Sequence, residues 1–344
     1  MPSSYIESIV ARSACRVDLA GGTVDLWPLY LFHPSPVVVN IAMGIGTSCT
    51  ITPANGNQIV LRSADTGKSD TYSNLDALLT ASRHNHSLAA YLVKFFRPTG
   101  GFEIETHSDS PAGAGISGSS ALMIATTAAL SEFTGRKLAK PAIREIAQNV
   151  EAQLIKVPTG CQDYFPALYG GVSAIHLRED GIHREAVEVS TEELEKRFVL
   201  AYTGAPRQSG INNWEVFKAH IDGDKRVFKN FENITEIAHG MHAAVKAADW
   251  ESVGRLLRDE WKLRKTNAPG ITTPLIDRLI ESSRKNGGIA AKVCGAGGGG
   301  CVIFFTQPEA KPRVEAAIAD AGGTVLPFKV ERRGVTVKRV RQKS

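Results

Sequence analysis

The chain has 344 residues, 43% of them apolar and 22% charged, which is enough for two cores and typical of a globular protein. No apolar run approaches the length that spans a bilayer, and the opening MPSSYIES lacks both the basic and the apolar region of an export signal. The net charge of +5 is scattered, so it suits an anionic small substrate and does not argue for nucleic acid. Cys15, Cys49, Cys161, Cys294 and Cys301 form an odd set without C-x-x-C spacing. They read as reduced thiols in a cytoplasm, not as a disulfide framework or a zinc site.

In chain order, residues 6–19, 37–43, 46–53 and 58–63 have strand character, with a turn at 54–57. Residues 74–82 and 87–96 read as helices. Residues 101–107 alternate apolar and polar side chains, as a half-buried strand does. Next come a helix at 119–133, a second at about 140–156, and a hairpin of 172–177 with 182–189. The polar run 190–196 marks the expected boundary between a domain at 1–195 and one at 196–344. After a strand at 198–202, helical patterns cover 212–222, 227–247, 250–265 and 273–285. A β-α-β-β finish runs from 289 to 340, and the basic tail 338–343 reads as a solvated end. No internal repeat interrupts this order.

The stretch 108–130, SDSPAGAGISGSSALMIATTAAL, organises the rest. Gly113, Gly115 and Gly118 remove side chains that would keep a ligand off the backbone. Ser119 and Ser120 stand where a helix begins, and 121–130 is apolar on nearly every face, so that helix is buried. Free N–H groups and the positive end of a helix dipole at such a turn form a phosphate cradle. GAGISG also satisfies G-x-G-x-x-G, but Asp109, Ser110 and Pro111 separate it from the strand, and Glu132 falls within the helix. A P-loop would need lysine where Ser119 stands. A third pattern, P-x-x-x-G-[LI]-x-x-S-S-A, fits Pro111 through Ala121. A glycine-rich turn that only caps a helix is the plain alternative.

Four other places carry chemistry. In 12–26, RSACRVDLAGGTVDL, a strand enters Gly21-Gly22 and then Asp25, presenting a cation, close backbone and a carboxylate; a strand, a tight turn and a capping aspartate would look the same. In 151–171, Glu151 near a helix end and Asp163 in a Pro- and Gly-punctuated loop suit a metal ligand and a proton acceptor, or else a surface glutamate and a capping aspartate. KVCGAGGGGC at 292–301 holds too many glycines for a hairpin turn unless backbone approaches something closely. Arg207, Asn212, Asn213 and Trp214, with Arg264 or Lys265, could meet a substrate from the second domain, or could be ordinary helix-end residues. His239 and His242 are spaced i,i+3 with no third ligand nearby in sequence, so they read as surface histidines.

Three of these stretches, in this order, resemble the motifs of the GHMP kinases, the superfamily of galactokinase, homoserine kinase, mevalonate kinase and phosphomevalonate kinase. Residues 111–121 are similar to the family's phosphate loop, and 292–301 to its third motif almost letter for letter. Residues 14–25 align without a gap on the galactokinase stretch P-G-R-V-N-L-I-G-E-H-T-D. The galactokinase Glu-His pair falls on Gly22 and Thr23, and the stretch looks closer to R-I-S-F-A-G-G-G-T-D of bacterial heptose-phosphate kinases.

The resemblance implies an α+β fold of two domains, the first like ribosomal protein S5 domain 2 and the second ferredoxin-like, with ATP and acceptor between them. By the same resemblance, Pro111, Gly113, Ala114, Gly115, Ile116, Ser117, Gly118, Ser119 and Ser120 hold the ATP phosphates, with Gly297 from the third motif. Ser119 and Glu151 would bind Mg²⁺. Arg16 and Asp163 would act on the acceptor hydroxyl. Gly21, Gly22, Thr23, Asp25, Gly160, Gly295 and Ala296 would contact the acceptor, joined by Arg207 on its place in the second domain alone. The implied activity is ATP- and Mg²⁺-dependent phosphorylation of a sugar or sugar phosphate at its anomeric hydroxyl, with heptose 7-phosphate as the single best guess. The partner is then a small molecule, neither nucleic acid nor membrane, and a homodimer is left open. A kinase or decarboxylase of the mevalonate route, and a sugar-responsive regulator without turnover, are the competing readings. A hydride-transfer enzyme stands behind both.

Overall fold

Two long strands, β1 (Tyr5–Ala20) and β2 (Val37–Ala54), form the spine of an eight-stranded sheet. The structure is a computed structural model and describes residues 5–206 and 209–343. The segments expected as separate strands at 37–43 and 46–53 are one strand: pairing with β1 continues through a register shift at Ala14/Cys15. A second shift follows at Asp18/Ala20, so the segment carrying Arg16 and Asp18 is bracketed by irregularities that re-aim side chains. β3 (Ile59–Ser63) and β4 (Ser69–Tyr72) make a hairpin, followed by α1 (Leu75–Thr80) and α2 (Ser87–Phe96). Asn74 starts α1 by accepting the Ala77 N–H at 2.9 Å. β5 (Gly101–Ser108) returns between β2 and β3, parallel to β3, and leads to α3 (Gly118–Phe133), which is buried on almost every side as its apolar run dictates. α4 (Lys140–Ile155) and the short α5 (Tyr164–Tyr169) pack against α3, and the hairpin β6 (Val172–Arg178) and β7 (Gly181–Ala186) adds to β2.

The polar run expected as the boundary folds as α6 (Thr191–Arg197), because the Ser190 hydroxyl accepts the Glu193 N–H at 3.2 Å and nucleates a helix. Beyond it lie β8 (Phe198–Tyr202), α7 (Ser209–Ile221), α8 (Lys225–Lys246), α9 (Trp250–Arg264) and α10 (Pro274–Lys285). They are followed by β9 (Gly288–Val293), β10 (Cys301–Thr306), α11 (Lys311–Asp320) and β11 (Thr324–Leu326). Their antiparallel sheet has the order β11-β8-β10-β9, that of a ferredoxin-like β-α-β-β-α-β unit.

The basic tail is not a solvated end. It forms β12 (Thr336–Lys343), which pairs antiparallel with β1 and gives the large sheet the order β12-β1-β2-β5-β3-β4. A split at 195/196 therefore leaves one strand of the first sheet beyond it. The two units also share a core: Phe198, Leu200 and Phe305 of the small sheet cluster with Ile41, Met43 and Leu130. That shared packing fixes how the glycine-rich loops of the two units face each other.

Candidate active site

Between β5 and α3 the backbone enters the left-handed region three times in five residues, at Gly113 (φ +67°), Gly115 (φ +77°) and Ser117 (φ +64°). The loop folds back on itself, and the first turn of α3 opens onto a cleft of about 440 Å³, the volume of an ordinary ligand site. Pro111, Gly113, Ala114, Gly115, Ser117, Gly118, Ser119 and Ser120 all line it. Ile116 does not: its side chain is fully buried in the core, and its carbonyl accepts the Arg16 N–H at 2.9 Å.

The third glycine-rich stretch reaches this loop through a different residue from the one expected. Gly297 abuts Ile271, whose carbonyl would lie 2.5 Å from a Cβ there. Gly300 is the close neighbour of the loop: at φ +75°, its Cβ would lie 2.6 Å from the Ala114 carbonyl. That same carbonyl accepts the Cys301 N–H at 2.6 Å. Only glycine fits both the conformation and the space at 300.

Ser119 and Glu151 meet at the mouth of α3. The Ser119 hydroxyl donates to Glu151 Oε1 at 2.7 Å, and the Tyr164 hydroxyl donates to Oε2 at 2.8 Å. Burial pushes the Glu151 carboxyl above its ordinary range, against the two hydrogen bonds that favour its charge. A buried carboxylate beside a hydroxyl, both hard oxygen donors, fits Mg²⁺, whose charge would offset that burial. Tyr164 was not foreseen; its only signal is its place directly after Asp163.

Arg16 joins this loop to Asp163. Its Nε and Nη2 donate to Asp163 Oδ1 at 2.8 and 2.5 Å, and its Nη1 donates to the Gly115 carbonyl at 2.9 Å. Burial opposes the guanidinium charge, but Asp163 and Asp18 outweigh it and hold the pKa above its usual value. Asp163 and Gly160 line the cleft and also a second, smaller pocket with Thr23, Asp25, Gly295 and Ala296. Asp25 is buried there and accepts the Gln162 N–H at 2.9 Å. Burial pushes its carboxyl up to about 6; the Gln162 bond opposes this and the Asp163 charge adds to it.

Gly21 and Gly22 do not line this pocket. A Cβ at Gly21 would lie 2.2 Å from the Val37 carbonyl, and one at Gly22 would lie 2.6 Å from Asp18 Oδ2, so both serve close packing. Arg207 lies outside the described residues. Trp214 is exposed and stacks on Phe217, and Lys265 is exposed.

Arg264, expected as a possible substrate contact, lines the smaller pocket and also belongs to a buried charge cluster that sequence reasoning missed. Its Nη1 meets Asp18 Oδ2 at 3.1 Å and its Nη2 donates to the Gly295 carbonyl at 2.6 Å. Lys292, fully buried, bonds Asp18 at 2.7 Å and pairs with Glu260. Burial works against the Asp18 charge, yet Lys292 and Arg264 hold its pKa well below the carboxylate range; burial raises that of Glu260. The available signal was alternation along β1, which places Asp18 two residues after Arg16 on one face.

Residues 84–171 match the GHMP kinases N terminal domain and residues 241–323 the GHMP kinases C terminal domain. The chain is 26% identical to D-glycero-alpha-D-manno-heptose 7-phosphate kinase of Campylobacter jejuni, over 97% of this chain and 100% of that one. It is 27% identical to mevalonate kinase of Thermococcus sibiricus, over 70% of this chain and 71% of that one. Among solved structures, a D-glycero-D-manno-heptose 1-phosphate kinase from Bacteroides thetaiotaomicron superposes with a TM-score of 0.78 at 21% identity, over 96% of this chain and 99% of that one.

Proposed function

This chain belongs to the GHMP kinases, and we propose that within that family it transfers the γ-phosphoryl group of ATP to a hydroxyl of a sugar or sugar phosphate. The observation that carries this reading is that Asp163, gripped by Arg16, lines both the phosphate-loop cleft and the pocket around Asp25. A donor in one cavity and an acceptor in the other would meet at that carboxylate. Both Arg16 bonds go to Oδ1, which leaves Oδ2 to take the acceptor's proton. The acceptor oxygen then bonds to the γ-phosphorus, the bond to the bridging oxygen breaks, and ADP leaves with that electron pair. The work of the protein is positioning and charge stabilisation, most of what phosphoryl transfer requires.

Ser119 and Glu151 would hold Mg²⁺, which when bound neutralises charge on the phosphate oxygens. The loop's backbone and the first turn of α3 would seat those phosphates, and the apolar side chains of Leu88, Ile155 and Val157 at the cleft wall would cover the base. Asp25 would fix a hydroxyl of the acceptor. The name of the heptose 7-phosphate kinase among the relatives favours a heptose phosphate as acceptor; attack by the anomeric hydroxyl is our reading from the likeness of residues 14–25 to the heptose-phosphate kinase stretch. The five cysteines, all buried free thiols, suit a cytoplasmic setting.

The test is ATP consumption with Mg²⁺ against free hexoses, heptose 7-phosphate, hexose 6-phosphates and mevalonate, with products identified by phosphorus NMR. Formation of a sugar 1-phosphate is expected. Turnover of mevalonate alone would move the chain to the mevalonate route, and ATP binding without turnover on any of them would favour a sensor.

A further inference from the structure

We propose that His176, Glu185 and His242 bind a divalent transition-metal cation, zinc by preference, which clasps the β6–β7 hairpin of the first unit to α8 of the second. None of the three lines the cleft or the acceptor pocket. The β6–β7 register pairs Ala174 with Glu185 and His176 with His183, so His176 and Glu185 are diagonal neighbours on one face of the hairpin. His242 arrives from α8, and the i,i+3 pair with His239 is not the relevant one: both other ligands come from the β6–β7 hairpin.

The spacing is that of a ligand set. His176 Nε2 lies 3.1 Å from Glu185 Oε2, and His242 Nε2 lies 3.3 Å from the same oxygen. All three donor atoms fall within 4.8 Å of one another. Zinc bonds to nitrogen and carboxylate oxygen are about 2.0–2.1 Å, so two ligands on a tetrahedral ion stand roughly 3.3 Å apart. The plain alternative is a carboxylate accepting hydrogen bonds from both imidazoles. His176 makes such a bond, but His242 Nε2 is buried without a hydrogen-bond partner despite its distance to Glu185. A cation between the three atoms would satisfy that orphaned nitrogen.

Lys246 bonds the other carboxylate oxygen, Oε1, at 3.0 Å and leaves Oε2 to the imidazoles. The side chains are partly exposed, at 21%, 34% and 17% for His176, Glu185 and His242, so an ion can reach them. Two imidazoles and one carboxylate with an open fourth position form a donor set that suits zinc.

The experiment is calorimetric titration of the full chain with ZnCl₂ in excess Mg²⁺, which on the proposed function would fill the Ser119–Glu151 oxygens. One Zn²⁺ per chain is expected. Binding should weaken at least tenfold in His242→Gln and in Glu185→Gln, stay unchanged in His239→Ala, and tighten in Lys246→Ala, where a competing charge is gone. Co²⁺ should give the intense visible bands of a tetrahedral site in the wild type and in Lys246→Ala, and not in His242→Gln. Equal Zn²⁺ affinity in all variants, or no tetrahedral Co²⁺ spectrum in a wild type that binds, would overturn the assignment. So would the absence of Zn²⁺ binding at millimolar concentration.

Discussion

Asp25 is buried where its charge is costly, and that cost is measurable. Its carboxyl rises from an ordinary 3.8 to about 6 in the fold. The native state therefore binds the extra proton between those values, so the stability tied to this group is full below about 3.8 and lost as pH rises through about 6. Asp25→Asn removes the buried charge. Its unfolding free energy should match wild type near pH 4 and exceed it by about 3 kcal/mol at pH 8, at 1.36 kcal/mol per pKa unit. An offset that does not change between the two pH values would rule out a buried charge as its source. Ser119→Ala should weaken Mg·ATP while leaving acceptor affinity nearly intact, which titration of each ligand separately will check. Equal loss for both ligands would remove Ser119 from the metal. At this scale the sequence was readable where a motif names a position: Arg16, Ser119, Glu151, Asp163 and Asp25 all reach the two cavities. It was unreadable for Tyr164, whose partner Glu151 lies 13 residues away, and for Lys292, whose partner Asp18 lies 274 residues away. A buried lysine shows no pattern of its own until its counter-charges are known.

Among elements, the two glycine-rich stretches form one device, because the turn after β9 supports the loop before α3. Gly300→Ala adds a Cβ 2.6 Å from the Ala114 carbonyl at a φ of +75°. Displacing that carbonyl shifts the phosphate loop, so KM for ATP should rise by about tenfold or more, the scale on which small misplacements act. Gly135→Ala is the control: its φ is +71°, but open space surrounds it. It should lose about 1–2 kcal/mol of stability from backbone strain and keep its KM. Equal KM values in the two variants would separate the third motif from the phosphate site. The helices at 87–96, 140–155 and from 225 to 285 were legible because their apolar faces repeat at helical spacing, and α3 because its apolar run is too long for a strand. α5 spans six residues and gives no periodic signal, and β12 reads as a charged tail because pairing with β1 leaves its side chains largely in water.

For the whole molecule, the two units are joined by apolar packing and by the buried cluster of Asp18, Glu260, Arg264 and Lys292. Removing Lys292 takes away the cation shared by the buried carboxylates of Asp18 and Glu260 and leaves them to Arg264. Lys292→Met should cost about 3–5 kcal/mol in chemical unfolding; a loss below 1 kcal/mol would mean the cluster does not couple the units. The charge balance between the units was invisible in the sequence, since it depends on how the sheets face each other. The same arrangement brings the cleft and the acceptor pocket together at Asp163, on which the functional account rests. The most direct test is kcat of Asp163→Asn, measured with the acceptor that the substrate panel identifies, alongside the affinity for Mg·ATP. A fall in kcat of roughly a hundredfold or more with affinity retained is predicted, the usual scale for a general base. Turnover at the wild-type rate would contradict the account.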